Sequence, residues 1–267
     1  MRTRTRPKLG QHFLRDTAFR RRIADALALL PDDLAVEIGP GSGAMTELLA
    51  ARARRVVAIE IDPAWVEKLR EKLPPDSKLE ILQGDILATD LAALCRRHGA
   101  ANCFVFGNVP YYITSPILHH LFRFASSLRG MALLVQREIA ERLVAQPGSR
   151  DYGYLSAVAQ LHSRPRIMLS VPPGAFSPPP KVQSALVGFQ MIPPSPEGNP
   201  LPINEFLEFV KRCFAQKRKN LVNNLKGEYA RVRIEGGLAE LALPRATRAE
   251  QLSVRELASL FKRLAAT

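Results

Sequence analysis

An apolar run over residues 103–106 ends in Gly107-Asn108-Val109-Pro110-Tyr111. Those residue types at that spacing suit one task, holding an amino group attached to an aromatic ring. The lone pair of such an amine is delocalised into the ring, which makes it a poor nucleophile. The Asn108 side-chain oxygen and a backbone carbonyl at Val109 or Pro110 can accept its two hydrogens, and orientation then supplies much of the rate of a transfer to it. Pro110 fixes the turn and removes a competing donor. Tyr111 can stack on a flat ring, worth about 1–3 kcal/mol per base. The competing reading is a plain Asn-x-Pro turn with a packed tyrosine. No metal or strong base is required, because the alkylated ammonium product readily loses a proton to water.

A second cluster lies upstream. Val36-Glu37-Ile38-Gly39-Pro40-Gly41-Ser42-Gly43 ends an apolar run and leads into a helical pattern. Glycines there let the main chain turn sharply and approach a ligand closely. Gly39, Gly41 and Ala44 also fit the dinucleotide pattern, so the loop alone leaves both NAD and S-adenosylmethionine open. Glu60 suits the ribose hydroxyls of either. Glu37, the third glycine Gly43, and Asp85 within Gln83-Gly84-Asp85-Ile86-Leu87 favour S-adenosylmethionine, since a carboxylate at the third strand end can accept from the cofactor's adenine amino group. With Ile61 and Ile86 beside these acids, the cofactor would lie across three successive strand ends. Simple helix capping is the alternative role for Glu60 and Asp85.

To position these groups, strands and helices must alternate. Asp16 caps a helix extending to Leu30, with Ile23, Leu27 and Leu30 on one face. Strands are expected at residues 34–38, 56–59, 79–82, 103–106 and 131–135. Helices are expected over 44–51, after Asp62-Pro63, near Leu91, and from Ser115-Pro116 to about Phe124. This alternation predicts an α/β, Rossmann-like domain with a predominantly parallel sheet, helices on both faces, and a ligand crevice at the C-terminal strand ends. Beyond Tyr154 the rhythm changes to a helix over 155–161 and two strands, 166–171 and 182–191. Their proximity predicts an antiparallel, hairpin-like pair at one sheet edge. Five prolines between Pro193 and Pro202 mark a linker over 193–203. Residues 204–267 then read as a small all-helical domain, with helices at 205–214, 221–225, around Glu250, and 254–264. Residues 1–192 form the arm and the first domain.

Charge is segregated along the chain. The net charge is +13, and residues 1–22 hold eight basic residues against one acid. Residues 203–267 hold thirteen against seven, while the stretch between is balanced. A polyanion gripped by an arm and an appended domain explains that pattern better than a need for solubility. Lys211, Arg212, Lys217, Arg218 and Lys219, with no acid among residues 211–219, form the expected nucleic-acid contact. No apolar run is long enough to span a bilayer, so no membrane partner is expected. The Arg-rich start superficially resembles a transit peptide, but a motif already begins at Leu9. Three cysteines without paired spacing suit a reducing cytoplasm. His98, His119, His120 and His162 lack metal-ligand spacing, so no metal is expected, and Trp65 reads as packing.

Together these segments resemble the ribosomal RNA adenine dimethyltransferases of the bacterial small-subunit type. The shared motifs are collinear over essentially the whole chain: Leu9-Gly10-Gln11-His12-Phe13-Leu14, the loop from Glu37 to Gly43, Glu60, Asp85, Asn108-Val109-Pro110-Tyr111, and Phe176 through Ser184. Phe214 through Leu221, Asn223-Asn224-Leu225 and Arg248 through Leu252 complete the set. The resemblance implies a class I methyltransferase domain that dimethylates two adjacent adenosines near the 3′ end of small-subunit rRNA late in assembly. It also implies that His12 and Leu14 line the cofactor site with Gly39, Glu60, Asp85 and Asn108. Phe176 would clamp a flipped base opposite Tyr111. The N-terminal segment would fold over cofactor and substrate, and the C-terminal helices of a monomeric protein would dock on the assembling small subunit. The family commonly has Asn where His12 stands, Asn where Tyr112 stands, and Arg-Arg-Lys-Thr in place of Lys217-Arg218-Lys219-Asn220. Rival readings are a large-subunit rRNA methyltransferase of the antibiotic-resistance type, a non-enzymatic assembly factor, and a nicotinamide oxidoreductase.

Overall fold

The computed structural model describes residues 12–73, 78–192 and 201–265. Leu9, Gly10, Gln11 and most of the proline-rich linker lie outside the described residues. The chain divides into two compact units, one of residues up to 140 together with 164–192, the other of residues 141–163 and those after 192.

In chain order the first unit starts with β1 (Phe13–Leu14), α1 (Thr17–Ala26), β2 (Leu34–Ile38), α2 (Thr46–Ala50), β3 (Arg55–Glu60), α3 (Pro63–Lys72) and β4 (Leu79–Gln83). It continues with α4 (Leu91–Arg97), β5 (Cys103–Asn108), α5 (Thr114–Arg123) and β6 (Leu128–Gln136). After α6 (Arg137–Val144) and α7 (Tyr154–His162), the chain adds β7 (Ser163–Val171), β8 (Phe176–Ser177) and β9 (Ser184–Met191). Seven strands form one sheet in the order β4-β3-β2-β5-β6-β9-β7. All five residues of β2 are buried, and it pairs in parallel with β3 on one side and β5 on the other. A strand covered on both faces reads as a continuous apolar run, which is why the segment showed no alternation. Strand order reverses at β2, so a crevice opens where β2 and β5 end. The expected Rossmann-like α/β architecture is the one observed.

Aspartates start the helices by satisfying otherwise unpaired N–H groups. Asp16 accepts from the Phe19 amide at 3.0 Å, Asp62 from Ala64 at 2.9 Å and Asp90 from Ala93 at 2.8 Å. Helix α1 stops at Ala26 rather than Leu30, because the chain turns through a left-handed Ala28 (φ 47°), and Leu30 is exposed. The last two long strands, β7 and β9, are neighbours at one edge of the sheet, as expected. β9 runs antiparallel to β6 and lies between β6 and β7, which leaves β7 alone at the edge. Pro165 suits that place, since an edge strand can spare an N–H.

The second unit holds α7, α8 (Ile203–Cys213), α9 (Leu221–Leu225), α10 (Arg231–Glu240) and α11 (Val254–Ala265). Its core joins Tyr152 and Ala157 to Phe206, Phe209, Leu225, Leu238 and Leu260. Residues 141–163 therefore belong to the unit of the C-terminal helices, whereas the sequence reading gave them to the first domain. Within the turn after α8, the Asn224 amide donates to the carbonyls of Cys213 at 2.7 Å and Gln216 at 3.2 Å. Asn220 caps α9 by accepting from Asn223 at 3.0 Å. These bonds fix the exposed stretch 215–219.

Candidate active site

Where β2 ends, Gly39, Gly41 and Gly43 all take left-handed backbone angles (φ 65°, 52° and 76°). Gly41 has a second reason to lack a side chain, because a Cβ there would sit 2.7 Å from Cε1 of Phe13. At Gly39 an added Cβ would meet nothing within 4 Å, so the main chain borders open space. That space is a cavity lined by His12, Phe13, Gly39, Gly41, Asn108, Val109, Pro110 and Tyr111.

Two carboxylates support the glycine turn from below. Glu60 is 2% exposed, and its oxygens accept from the amides of Gly41 at 3.1 Å and Asp62 at 3.0 Å. Glu37, equally buried, accepts from the Thr46 hydroxyl at 2.5 Å. Burial pushes the Glu37 carboxyl up to about 7; the Thr46 hydrogen bond opposes that rise and the nearby Glu60 charge adds to it. At the next strand end, Asp85 is exposed and caps a single helical turn by accepting from Leu87 at 2.9 Å. Ile86 is buried, while Ile61 is 53% exposed.

Asn108 closes β5. Its Nδ2 donates to the main-chain carbonyl of His12 at 2.9 Å. A carbonyl only accepts, so this contact settles which way the amide faces and leaves Oδ1 available to receive a hydrogen bond. Pro110 starts a single turn whose carbonyl accepts from Ile113 at 3.1 Å. The Tyr111 hydroxyl lies 2.8 Å from Ser184 Oγ. Burial raises the phenol above its ordinary range, with the Ser184 bond opposing, so Tyr111 stays neutral. The His12 ring stacks on Tyr111 with centroids 5.7 Å apart, and His12 Nδ1 donates to the Pro178 carbonyl at 2.8 Å.

The N-terminal segment and the loop before β9 are joined. β1 pairs with β8, Phe13 opposite Ser177 and Leu14 opposite Phe176. Alternation along this two-residue strand sends Phe13 toward Gly41 and the cavity and Leu14 into the core. Phe176 follows Leu14. It is 4% exposed in the core with Leu14, Ile23 and Met45, and does not line the cavity. The side chains of both residues expected at the site thus lie in the core: two large apolar groups gain more from burial, about 1.5–3 kcal/mol each, than from a wet rim. Sequence reasoning also missed Phe13, although its neighbours were named, and Ser184 as the partner of Tyr111.

In the second unit the basic residues differ in their engagement. Arg212 pairs with Glu228 at 2.6 Å, Lys211 lies 3.7 Å from Glu208, and Lys217 donates to the Arg150 carbonyl at 2.5 Å. Arg218 and Lys219 are exposed and form no ion pair among the described residues. His120 bonds the Thr89 carbonyl at 2.9 Å, and Trp65 packs on Phe13. No group of metal ligands occurs among the described residues, and none of their helices is long and apolar enough to cross a membrane.

Comparison with known proteins gives consistent matches. A family model described as ribosomal RNA adenine dimethylase matches residues 2–266. The chain is 45% identical to the ribosomal RNA small subunit methyltransferase A of Acidobacterium capsulatum, over 97% of this chain and 91% of that one. A dimethyladenosine transferase from Plasmodium falciparum matches with a TM-score of 0.80 at 23% identity, over 94% of this chain and 98% of the other, a likeness of fold. The 23S rRNA methyltransferase ErmE matches with a TM-score of 0.73 at 28% identity, over 94% and 99% of the two chains.

Proposed function

Because the chain belongs to the ribosomal RNA adenine dimethylase family, we propose that it uses S-adenosylmethionine to dimethylate the N6 amino groups of two adjacent adenosines near the 3′ end of small-subunit rRNA. The observation that carries this reading is the orientation of Asn108, whose amide nitrogen is engaged by the His12 carbonyl at the edge of the cavity.

The residues fit S-adenosylmethionine. Gly39 offers a bare main chain, Glu60 lies beneath the glycine turn for a ribose, and the exposed Asp85 carboxylate can accept from an adenine amino group. Ile61 and Ile86 supply apolar contact on either side of those acids. The cofactor contributes an electrophilic methyl group. The protein's part is orientation: Asn108 Oδ1 accepts one hydrogen of the adenine amine. The Val109 carbonyl is the better second acceptor, since the Pro110 carbonyl already closes its turn. Both hydrogens held in this way turn the lone pair out of conjugation and toward the methyl group. Tyr111, anchored through Ser184, presents a fixed face for the base. The leaving proton goes to water.

RNA contact in the second unit falls chiefly to Arg218 and Lys219, since Lys211, Arg212 and Lys217 already have intramolecular partners. We place the protein in the cytoplasm as a monomer acting on the assembling small subunit; its three free, buried cysteines suit a reducing compartment. The test is incubation of unmethylated small-subunit particles with labelled methyl donor, then nucleoside analysis. Dimethyladenosine is expected with wild type. Asn108→Ala should bind particles normally yet lose at least about a hundredfold in rate, as expected when an orienting group is removed. Label entering large-subunit rRNA in a parallel incubation, with none entering the small-subunit particles, would favour the ErmE-like alternative, and undiminished transfer by Asn108→Ala would refute the role given to that amide.

A further inference from the structure

The cavity accounts for one base, yet its rim carries two outward-facing groups that the reaction does not use. Tyr112 follows the cavity-lining Tyr111 on the same single turn and is 64% exposed. Among the described residues it is the only exposed aromatic side chain, and it forms no ring contact or side-chain hydrogen bond. The loop from Pro178 to Ser184 is tied at both ends to cavity residues, through His12 at one end and Tyr111 at the other. Between those ties Lys181 is exposed and makes no ion pair among the described residues.

We propose that this rim binds the nucleotide beside the methylated one, with its base stacked on Tyr112 and its phosphate held by Lys181. The inference rests on the function proposed above and extends it to the flanking RNA. A strand that delivers one base into a cavity leaves its neighbour at the mouth, unstacked on one side. An outward aromatic ring recovers that stacking whatever the base, and the unpaired ammonium on the loop tied to the same cavity residues takes the phosphate charge. Tyr111 differs in being half-buried and held by Ser184, so the two adjacent tyrosines serve two successive bases.

The test uses the full-length protein and short RNAs with 2-aminopurine on one or the other side of the target adenosine. Wild type should quench the fluorescence at one of those positions. Tyr112→Ala should lose the quench and raise the KM for RNA about tenfold, with kcat changed less than about twofold. Tyr112→Phe should restore both. Affinity for S-adenosylmethionine should be equal in all three proteins, which shows the cavity intact. Lys181→Gln should make RNA binding less salt-dependent by about one unit of log–log slope. Quenching that survives in Tyr112→Ala overturns the proposal. Absence of methyl transfer by wild type would count against the proposed reaction alone, because the quench comparison reads the rim independently of turnover.

Discussion

A single buried acid records how the glycine-rich turn is held. Glu37 stands near the end of β2 with Thr46 as its hydrogen-bond donor and Glu60 close by. Its folded pKa, near 7, lies above its ordinary value of 4.5, so the folded state binds this proton more tightly than the unfolded chain. The resulting stabilisation is complete below about pH 4.5 and disappears as pH rises through 7. Glu37→Gln keeps an acceptor for Thr46 and removes the titration. Between pH 5 and 8, wild type should therefore lose on the order of 2 kcal/mol more unfolding free energy than the variant. Denaturant titrations at several pH values check this, and parallel curves for the two proteins would contradict it.

At the scale of elements, the glycine turn and the first short strand depend on each other. Alanine at position 41 would need a left-handed angle, costing about 1–2 kcal/mol, and would press on Phe13. Gly41→Ala should thus weaken S-adenosylmethionine binding at least about tenfold by calorimetry, while β2 and its neighbours stay folded by circular dichroism. Much of this architecture was legible beforehand, because its signals are local. Asp62-Pro63 marked the start of α3, and Leu34 to Ile38 marked β2. What escaped notice depends on distant partners or weak patterns. β1 is two residues long and exists only because β8 lies beside it, more than 160 positions later. α10 contains Gly236 and Gly237, which lower helix propensity and blur its apolar face. Residues 141–163 carry nothing in their own sequence to say that their packing partners begin only after the proline-rich segment. The candidate site was legible at Asn108, Tyr111 and the glycines, whose spacing is local. The burial of Phe176 was not legible, because an aromatic in a proline-rich loop looks alike whether it faces a ligand or the core.

For the molecule as a whole, charge is the feature that bears on its partner. The excess of basic residues is confined to the two ends of the chain, and within the second unit several of those cations are already neutralised by neighbours. Net charge therefore overstates the number of phosphates that the protein can meet. Replacing Arg218 and Lys219 together by alanine should reduce the salt dependence of particle binding by about two units of log–log slope. Replacing Arg212, which is bound to Glu228, should change it by much less. Filter-binding titrations across a range of salt concentrations separate the two outcomes, and an equal effect of both replacements would remove the distinction.

The bond that aims Asn108 comes from the backbone of residue 12, not from its imidazole. Every amino acid carries that oxygen, so mutation at this codon leaves the aiming of the amide intact so long as the local path of the chain is kept. Exchanging histidine for asparagine here would keep that aim while giving up the ring contact with Tyr111, so the main chain and the side chain of one residue carry separable tasks.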